Sequence, residues 1–435
     1  MTAHHNSDAA LGGGEAKASL LGVPGQVYAI AMVRFCDALG NSFLWAVLPL
    51  FFGDFHDPSL QVPEELLVGL LLTVYGFAGA LLQPLVGWLS DRTGHRKAFA
   101  VAGLGILAAA TYGFTLASGF ADLLALRCLQ GLGVALNVPT SFALISGYTS
   151  RGNRGAAMAV YTTARHVGFA VGPLTGGLLL AAFGYYVTFA AAAALILLGT
   201  ALFALVVSEP ERSRPAELPP ARRHTFGALF ARGGLPILGL ISVVTASIVS
   251  LLGPLEKQIN ARLEQGAAEF GVAISTILFI NILFQIPMGR LGDRIGRKPV
   301  MAAGLFLLCP AVIAAGFAGS TLQLIAILAL QGLAISAVAP TSYALAADLA
   351  PRGAEAKQIS VLTAAFGLGL GLGPLLTGWL AGYFFYELPF CVAAALAALT
   401  LALVLARVAE PGRGRSESAD GPPGAPDLAK RDAMM

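Results

Sequence analysis

Arg34, Asp37, Asn41, Arg127, Arg165 and His166 stand inside stretches otherwise apolar enough to cross a membrane. An ionisable group in hydrocarbon is costly, so its presence implies pairing, a polar cavity or a function. Arg34 and Asp37 are three residues apart, and Asp37 and Asn41 four, so on a helix all three share one face. With that helix starting near residue 27 and rising about 1.5 Å per residue, Asp37 lies roughly 15 Å deep, close to the midplane. Desolvation favours the neutral form of a carboxyl, and a nearby guanidinium favours the charged form. A conformational change could therefore switch the affinity of Asp37 for protons. Asp37 is the candidate proton carrier, with Arg34 as its partner; the plainer reading is a permanently paired structural aspartate. Arg165 reads as an anchor for an anionic substrate or a counter-ion for Asp37. His166 could titrate near neutral pH, or simply be a hydrogen-bonded packing residue.

These groups need elements that hold them in lipid. Of 435 residues, 56% are hydrophobic and 12% charged, with mean hydropathy +0.75; a soluble globule carries about 25% charged residues. Apolar windows long enough to span roughly 30 Å of hydrocarbon follow one another at about 27–52, 66–89, 98–117, 120–146, 157–182, 185–207, 234–258, 268–291, 299–317, 321–347, 358–383 and 386–407. The expected fold is an all-α membrane protein of twelve transmembrane helices. Cys36, Cys128, Cys309 and Cys391 are scattered singly in the spans, so neither a disulfide framework nor a metal site is expected. The first residues carry no basic stretch followed by a short apolar one, so no removable signal peptide is expected. HExxH, GxSxG, CxxC and Walker A patterns are absent, and no soluble domain is large enough for catalysis, so an enzyme is not expected.

Charge sets the topology. Of 27 Lys and Arg, 22 fall on the side shared by the termini and loops 2–3, 4–5, 6–7, 8–9 and 10–11. The loop "GDFHDPSLQVPEE" between spans 1 and 2 has four carboxylates and neither Lys nor Arg. Only Lys257 and Arg262 lie between spans 7 and 8. The positive-inside rule puts both termini in the cytoplasm. The expected organisation is a disordered tail (1–25), a six-helix bundle (26–207), a polar Pro/Arg/Glu linker (208–233), a second six-helix bundle (234–407) and a second tail (408–435).

The two bundles repeat one another. "GWLSDRTGHRK" (87–97) matches "GRLGDRIGRKP" (289–299), "VPTSFAL" (138–144) matches "APTSYAL" (339–345), and "GFAVGPLTGG" (168–177) matches "GLGLGPLLTG" (369–378), all at offsets of 201–202. Two pseudo-symmetric halves related by an axis along the membrane normal follow, with a substrate path between them. On these residues the chain resembles the major facilitator superfamily. "GWLSDRTGHRK" resembles its loop 2–3 signature, "RCLQGLG" its span 4 motif, and "GFAVGPLTGG" the span 5 motif associated with proton-coupled exporters. "DALGNSFLWAVLP" (37–49) is similar to the span 1 pattern of the drug:proton antiporter branch, that of the 12-span multidrug efflux proteins. The resemblance implies the major facilitator fold and a proton-coupled role for Arg127, whose repeat counterpart is Leu328.

Gly168, Gly172 and Gly176 form a stripe without side chains, and such a stripe admits a close neighbouring helix in lipid. Pro173 permits a bend. With Gly177 and the second copy at Gly369, Gly373 and Pro374, this reads as a close sliding seam. Gly87, Asp91, Arg92, Gly94, Arg96 and Lys97, with Gly289, Asp293, Arg294, Gly296, Arg297 and Lys298, read as gating residues. Symmetry would bring Asp91 to the N-terminus of span 11 and Asp293 to that of span 5, latching one end shut; the bland alternative is a topogenic basic loop. Asn41, Trp45, Tyr75, Tyr161, Arg165, Asn281, Gln285, Tyr343 and Phe366 are the candidate cavity lining. The expected function is alternating-access export of a lipophilic small molecule in exchange for protons from a cell (inner) membrane. The alternative is transport of a sugar, anionic metabolite or lipid-linked compound by symport or uniport. The proton is the coupling ion, no cofactor or nucleic acid is expected, lipids are the surroundings, and the chain is expected to be a monomer.

Overall fold

A computed structural model describes residues 23–53, 61–150, 153–209, 234–349 and 355–408. Nearly all of the expected tails and of the linker, and the tip of the acidic loop, lie outside the described residues.

Among the described residues, eleven helices are long and apolar enough to span a membrane. One of them, Arg154–Val206, has 53 residues, about 80 Å of helix and more than twice the thickness of a hydrocarbon core. It breaks at Gly184, where φ is 78° and ψ 179°, a conformation open to glycine and strained for other residues. The limbs on either side are spans 5 and 6, so the described chain makes twelve crossings.

The others follow in order: span 2 Glu64–Thr93, span 3 Arg96–Gly113, span 4 Phe120–Tyr148, span 8 Ala267–Ile295, span 9 Arg297–Gly316, span 10 Thr321–Asp348, span 11 Glu355–Tyr383 and span 12 Leu388–Arg407. The first span of each half is broken at the same end. Span 1 runs as Gly25–Ser42, a 3-10 turn Phe43–Trp45 and a short helix Leu48–Gly53. Span 7 runs as Leu235–Ser250, a 3-10 turn Gly253–Leu255 and a helix Glu256–Leu263. Pro49 and Pro254 sit in the first turn after each break, where a missing N–H leaves no intrahelical bond unmade.

Within each half, apolar side chains pack into separate clusters, for example Val27, Ile30, Leu104 and Phe203 in the first and Leu308, Val312, Leu328 and Phe390 in the second. The halves meet along span 2 with span 11 and span 5 with span 8. At the end carrying the acidic loop these pairs are closely packed. Thr73 donates to the Gly371 carbonyl at 2.6 Å, and Ser275 accepts from the Leu174 N–H at 2.9 Å. The Lys257 ammonium bonds both oxygens of Glu64 at 2.7 and 2.9 Å, and Gln258 donates to Glu65 at 2.5 Å. Toward the basic-loop end the facing surfaces are uncovered: Ala80 and Pro84 of span 2, Thr163 and His166 of span 5, and Thr363, Ala364 and Gly367 of span 11 are exposed. The molecule is shut at one end and parted at the other.

Candidate functional site

The polar interior of the first half is built from four helices. Span 1 presents Arg34, Asp37 and Asn41 on one face, as their spacing predicts, and all three are buried. Arg34 pairs with Asp37 through a direct hydrogen bond. Span 4 brings Asn137 Nδ2 to 3.4 Å from the same Asp37 oxygen, and Ser141 donates to Asn137 Oδ1 at 2.9 Å, so the amide is oriented with its NH2 toward the carboxylate. Asn41 donates to the Tyr75 hydroxyl of span 2 at 2.8 Å. The Arg34 guanidinium lies 5.7 Å from the Tyr161 ring centre, on span 5.

Arg127, 2% exposed, is held from behind. It donates to Gln130 at 2.9 Å, and Gln130 in turn donates to Thr111 of span 3 at 2.9 Å. Its guanidinium lies 5.5 Å from the Tyr75 ring and 5.8 Å from Phe114. No carboxylate among the described residues pairs with it, so aromatic faces supply its counter-charge. Arg165 sits over Phe169 at 5.1 Å, and Phe169 meets Trp45 edge-on at 6.4 Å. Arg34 Nε, Arg127 Nε, Arg165 Nε and Asn41 Oδ1 are buried without a hydrogen-bond partner, an unusual concentration of unmet polar atoms in one interior.

The structure thus gathers Arg34, Asp37, Asn41, Trp45, Tyr75, Arg127, Tyr161 and Arg165 into one connected cluster. His166 stands at its edge, within electrostatic reach of Arg165 and Arg34. It is exposed, two turns from Pro173 on the same face of span 5, beside the parting between the halves. Asn281, Gln285 and Phe366 are half-buried on spans 8 and 11, and Tyr343 is half-buried against the apolar cluster of Leu345 and Leu362. Among the described residues these four share no hydrogen bond or ring contact with the first-half cluster. Asn137, Gln130 and Thr111 escaped the sequence reading, although Gln130 opens the "QGLG" of the span 4 motif. Asn137 lies one position before "VPTSFAL" and shares a helix face with Ser141, one turn on.

The glycine stripe corrects the seam expectation. Gly168, Gly172 and Gly176 pack inside their own half, against Phe35, Ser42 and Phe43 of span 1. Ser42 Oγ donates to the Gly168 carbonyl at 3.3 Å. Gly369 and Gly373 likewise pack on Val243, Ser247 and Ser250 of span 7. The surface between halves is made by the neighbouring face: Pro173 against Gly271, Gly177 against Ala267, Pro374 against Gly69 and Gly378 against Glu65. A stripe of period four marks a tight contact in lipid without saying which helix fills it.

The two basic loops each stay with their own half. Gly94 (φ 72°) and Gly296 (φ 112°) turn the chain after spans 2 and 8. Asp91 pairs with Arg96 at 2.8 Å with most of its side chain exposed, and Glu209 accepts from the backbone N–H of Arg96 and Lys97 at 3.0 and 2.9 Å. Arg92 lies over the Trp88 ring at 5.3 Å. Asp293 is 3.5 Å from Arg297, which also bonds Asp348 and, at 2.6 Å, the Ala344 carbonyl; Lys298 donates to the Leu405 carbonyl at 3.0 Å. Arg294 lies on the last turn of span 8. Gly87 and Gly289 lie beside Pro139 and Pro340 of spans 4 and 10. In this parted arrangement, Asp91 and Asp293 each pair within their own loop.

Comparison with known proteins places this geometry. The chain is 26% identical over 81% of its length to a multi-drug resistance efflux pump PmrA homolog of Lactococcus lactis, covering 87% of that protein. It is 25% identical to the multi-drug resistance efflux pump PmrA of Streptococcus pneumoniae (83% of this chain, 91% of that one) and 27% identical to the bacillibactin exporter of Bacillus subtilis (80% and 88%). A bacterial homolog of the human lysosomal transporter Spinster, solved in an inward-facing and occupied conformation, superposes with TM-score 0.73 at 18% identity, over 88% of this chain and 95% of that one. The nucleoside transporter NupG superposes with TM-score 0.69 at 13% identity, over 88% and 98%. The sequence profile of the Major Facilitator Superfamily matches residues 30–260 and 238–432, and with two six-span halves parted at one end, this chain belongs to that superfamily of membrane transporters.

Proposed function

We propose that this transporter exports lipophilic or drug-like small molecules in exchange for protons, with the basic-loop end and both termini in the cytoplasm of a cell (inner) membrane. The observation that carries the reading is the Arg34–Asp37 pair, buried at mid-span and flanked by Asn137, Tyr75 and Arg165. Relatives named as efflux pumps support the direction of transport, and the division of basic residues supports the orientation. In this arrangement the outer end is shut, and substrate enters through the parting toward the cytoplasm. Proton binding to Asp37 frees Arg34 from its partner; substrate and proton thereby compete for one interior, and rocking of the halves exposes that interior to each side in turn. The coupling ion is the proton, no cofactor is invoked, and the working unit is one chain.

A second reading concerns the cargo. Three guanidiniums (Arg34, Arg127, Arg165) face one carboxylate (Asp37) in this interior, and that surplus of positive charge favours an anionic or electron-rich compound.

The test combines a drug-susceptibility panel in an efflux-deficient bacterium with substrate-induced proton release from purified protein. Resistance to lipophilic compounds accompanied by proton release supports the proposal; transport indifferent to a pH gradient overturns it. Reporter fusions after residue 57 should report outside and fusions after residue 220 inside.

A further inference from the structure

Glu256 begins the last helix of span 7 at the shut end, is 0% exposed, and has no hydrogen-bond partner on either carboxylate oxygen. We propose that Glu256 is a second proton-binding site, loaded from the outer solution, and that the outer end closes only over its neutral form. This inference rests on the reading of the chain as a proton-coupled exporter, and it adds a site distinct from Asp37.

Its neighbours make the case. The chain on both sides of Glu256 forms the outer closure. Gly253 lies against Leu72 of span 2, Lys257 bonds Glu64, and Gln258 bonds Glu65. Pro254, Lys257 and Gln258, with Pro49, Glu64, Glu65 and Val68, enclose a cavity of about 20 Å³, room for a single water. Parting the halves here breaks these contacts and brings outer water to the turn that carries Glu256. On its own helix Glu256 shares a face with Ile259, and both Ile259 and Leu252, just before the turn, lie in the second half's apolar core.

No charge compensates it. The helix Glu256–Leu263 packs against Leu48–Gly53, the turn Gly253–Leu255 and span 8. The first two carry no titratable side chain. Span 8 offers Glu269 nearby, which accepts from the Gly266 N–H at 3.0 Å; its Arg290, Asp293 and Arg294 stand at the opposite end. On the helix itself Lys257 is committed to Glu64 and Arg262 to Glu387, and across the closure Glu64 and Glu65 are committed to Lys257 and Gln258. Burying a carboxylate with neither partner nor counter-ion is far costlier than burying the acid. The balanced step is one proton from the outer solution adding to one carboxylate oxygen before closure, and leaving to that solution after opening. Outer acidity then drives the return to the cytoplasm-open state.

The experiment places spin labels at Leu116→Cys and Leu322→Cys, two exposed outer positions on opposite halves, in a background lacking the four native cysteines. The distance distribution is measured across mildly acid to mildly alkaline pH. The parent protein should shift from outer-closed in acid to outer-open in alkali, by up to about tenfold in the population ratio per pH unit. Glu256→Gln, which preserves shape and cannot titrate, should stay outer-closed across the range. Asp37→Asn should keep the pH response while losing substrate-induced proton release. A Glu256→Gln protein with the parent's pH profile, or a parent whose distances ignore pH, overturns the inference. A parent that moves with pH but releases no proton on substrate binding overturns coupled export while leaving the outer site standing.

Discussion

The carbonyl oxygen of Pro173 occupies the place where a β-carbon on Gly271 would stand. Span 5 and span 8 therefore touch backbone to backbone across the two halves. One repeat later the Pro374 carbonyl stands in the same relation to Gly69, joining spans 11 and 2. At these two points the closed end is held without side chains between the helices. Gly271→Ala or Gly69→Ala should push the equilibrium toward opening at the outer end. Overpacking of this kind costs about 1–3 kcal/mol, roughly fivefold to 150-fold in the population ratio. Gly105→Ala, with nothing within 4 Å of its added carbon, is the control. Labelled-cysteine distances across the outer end report the shift.

Gly172 makes a different prediction. Its added β-carbon meets Ser42 of span 1 in the same half, so Gly172→Leu strains the fold of one bundle rather than the joint between two. Transport should be abolished and thermal stability should fall, with little change in the ratio of open to closed forms among the molecules that remain folded. A melting curve with normal stability would show that span 1 accommodates the side chain.

Asp37→Asn keeps the shape of the residue and removes its proton. Substrate-driven proton release should vanish and uphill export should stop, while a direct binding assay still detects substrate. Arg34→Ala removes one partner of a buried pair, a change that costs about 3–5 kcal/mol, so it should damage folding as well as coupling. Arg127→Ala should impair coupling through the Tyr75 contact and leave the Arg34–Asp37 pair in place. Wild-type proton flux in the Asp37→Asn protein would remove this residue from the cycle.

The Lys257–Glu64 bridge spans the two halves at the rim of the shut end, with the lysine side chain about half exposed. Partly exposed bridges contribute about 0.2–1 kcal/mol, so Lys257→Glu should lower the outer-closed population by no more than about fivefold. The reversed pair, Lys257→Glu with Glu64→Lys, should restore most of it. A swap that restores nothing would mean the two charges act separately.

Arg262 and Glu387 join spans 7 and 12 at the shut end, at 2.7 Å. The hydrogen bond from Arg262 holds the Glu387 carboxyl below its ordinary value. A depressed acid contributes stability above the pKa of the unfolded chain and loses it as pH falls through the folded value. Arg262→Ala should therefore lower the melting temperature slightly at neutral pH and leave it unchanged below the carboxylate range. An equal loss at both pH values would point to the Arg262 contact with the Tyr386 ring, 4.4 Å away.

Much of the architecture was legible because the hydrocarbon core leaves the chain few options. Span length, the repeat offset and the face shared by Arg34, Asp37 and Asn41 all follow from helix geometry and hydropathy. The expected gap between spans 5 and 6 falls within a residue or two of Gly184, since no single helix of that length fits a bilayer. What stayed hidden was partner choice. A glycine stripe announces a close contact, yet Gly172 and Gly177 serve different helices, and periodicity cannot separate faces that differ by one position. Asn137 was overlooked because, unlike Asn41, it has no ionisable residue one helical turn away to mark its face. Glu256 was overlooked because it stands two residues from the end of the expected span 7, beside Lys257, where a carboxylate looks like part of the span's polar edge.

The pairing of Pro173 with Gly271 and of Pro374 with Gly69 carries a lesson about the duplication that made this chain. Both copies keep the bearing, including the hydroxyl beside it, Thr73 in one and Ser275 in the other. The charged interior survives in one copy alone: Arg127 faces Leu328 across the repeat and Asn137 faces Val338. A joint that turns about its own axis has to be machined twice, whereas the arginine-rich interior is built once. The repeat therefore constrains the two halves unequally: the contact about which they turn is shared, and the Arg34–Asp37 interior belongs to one of them.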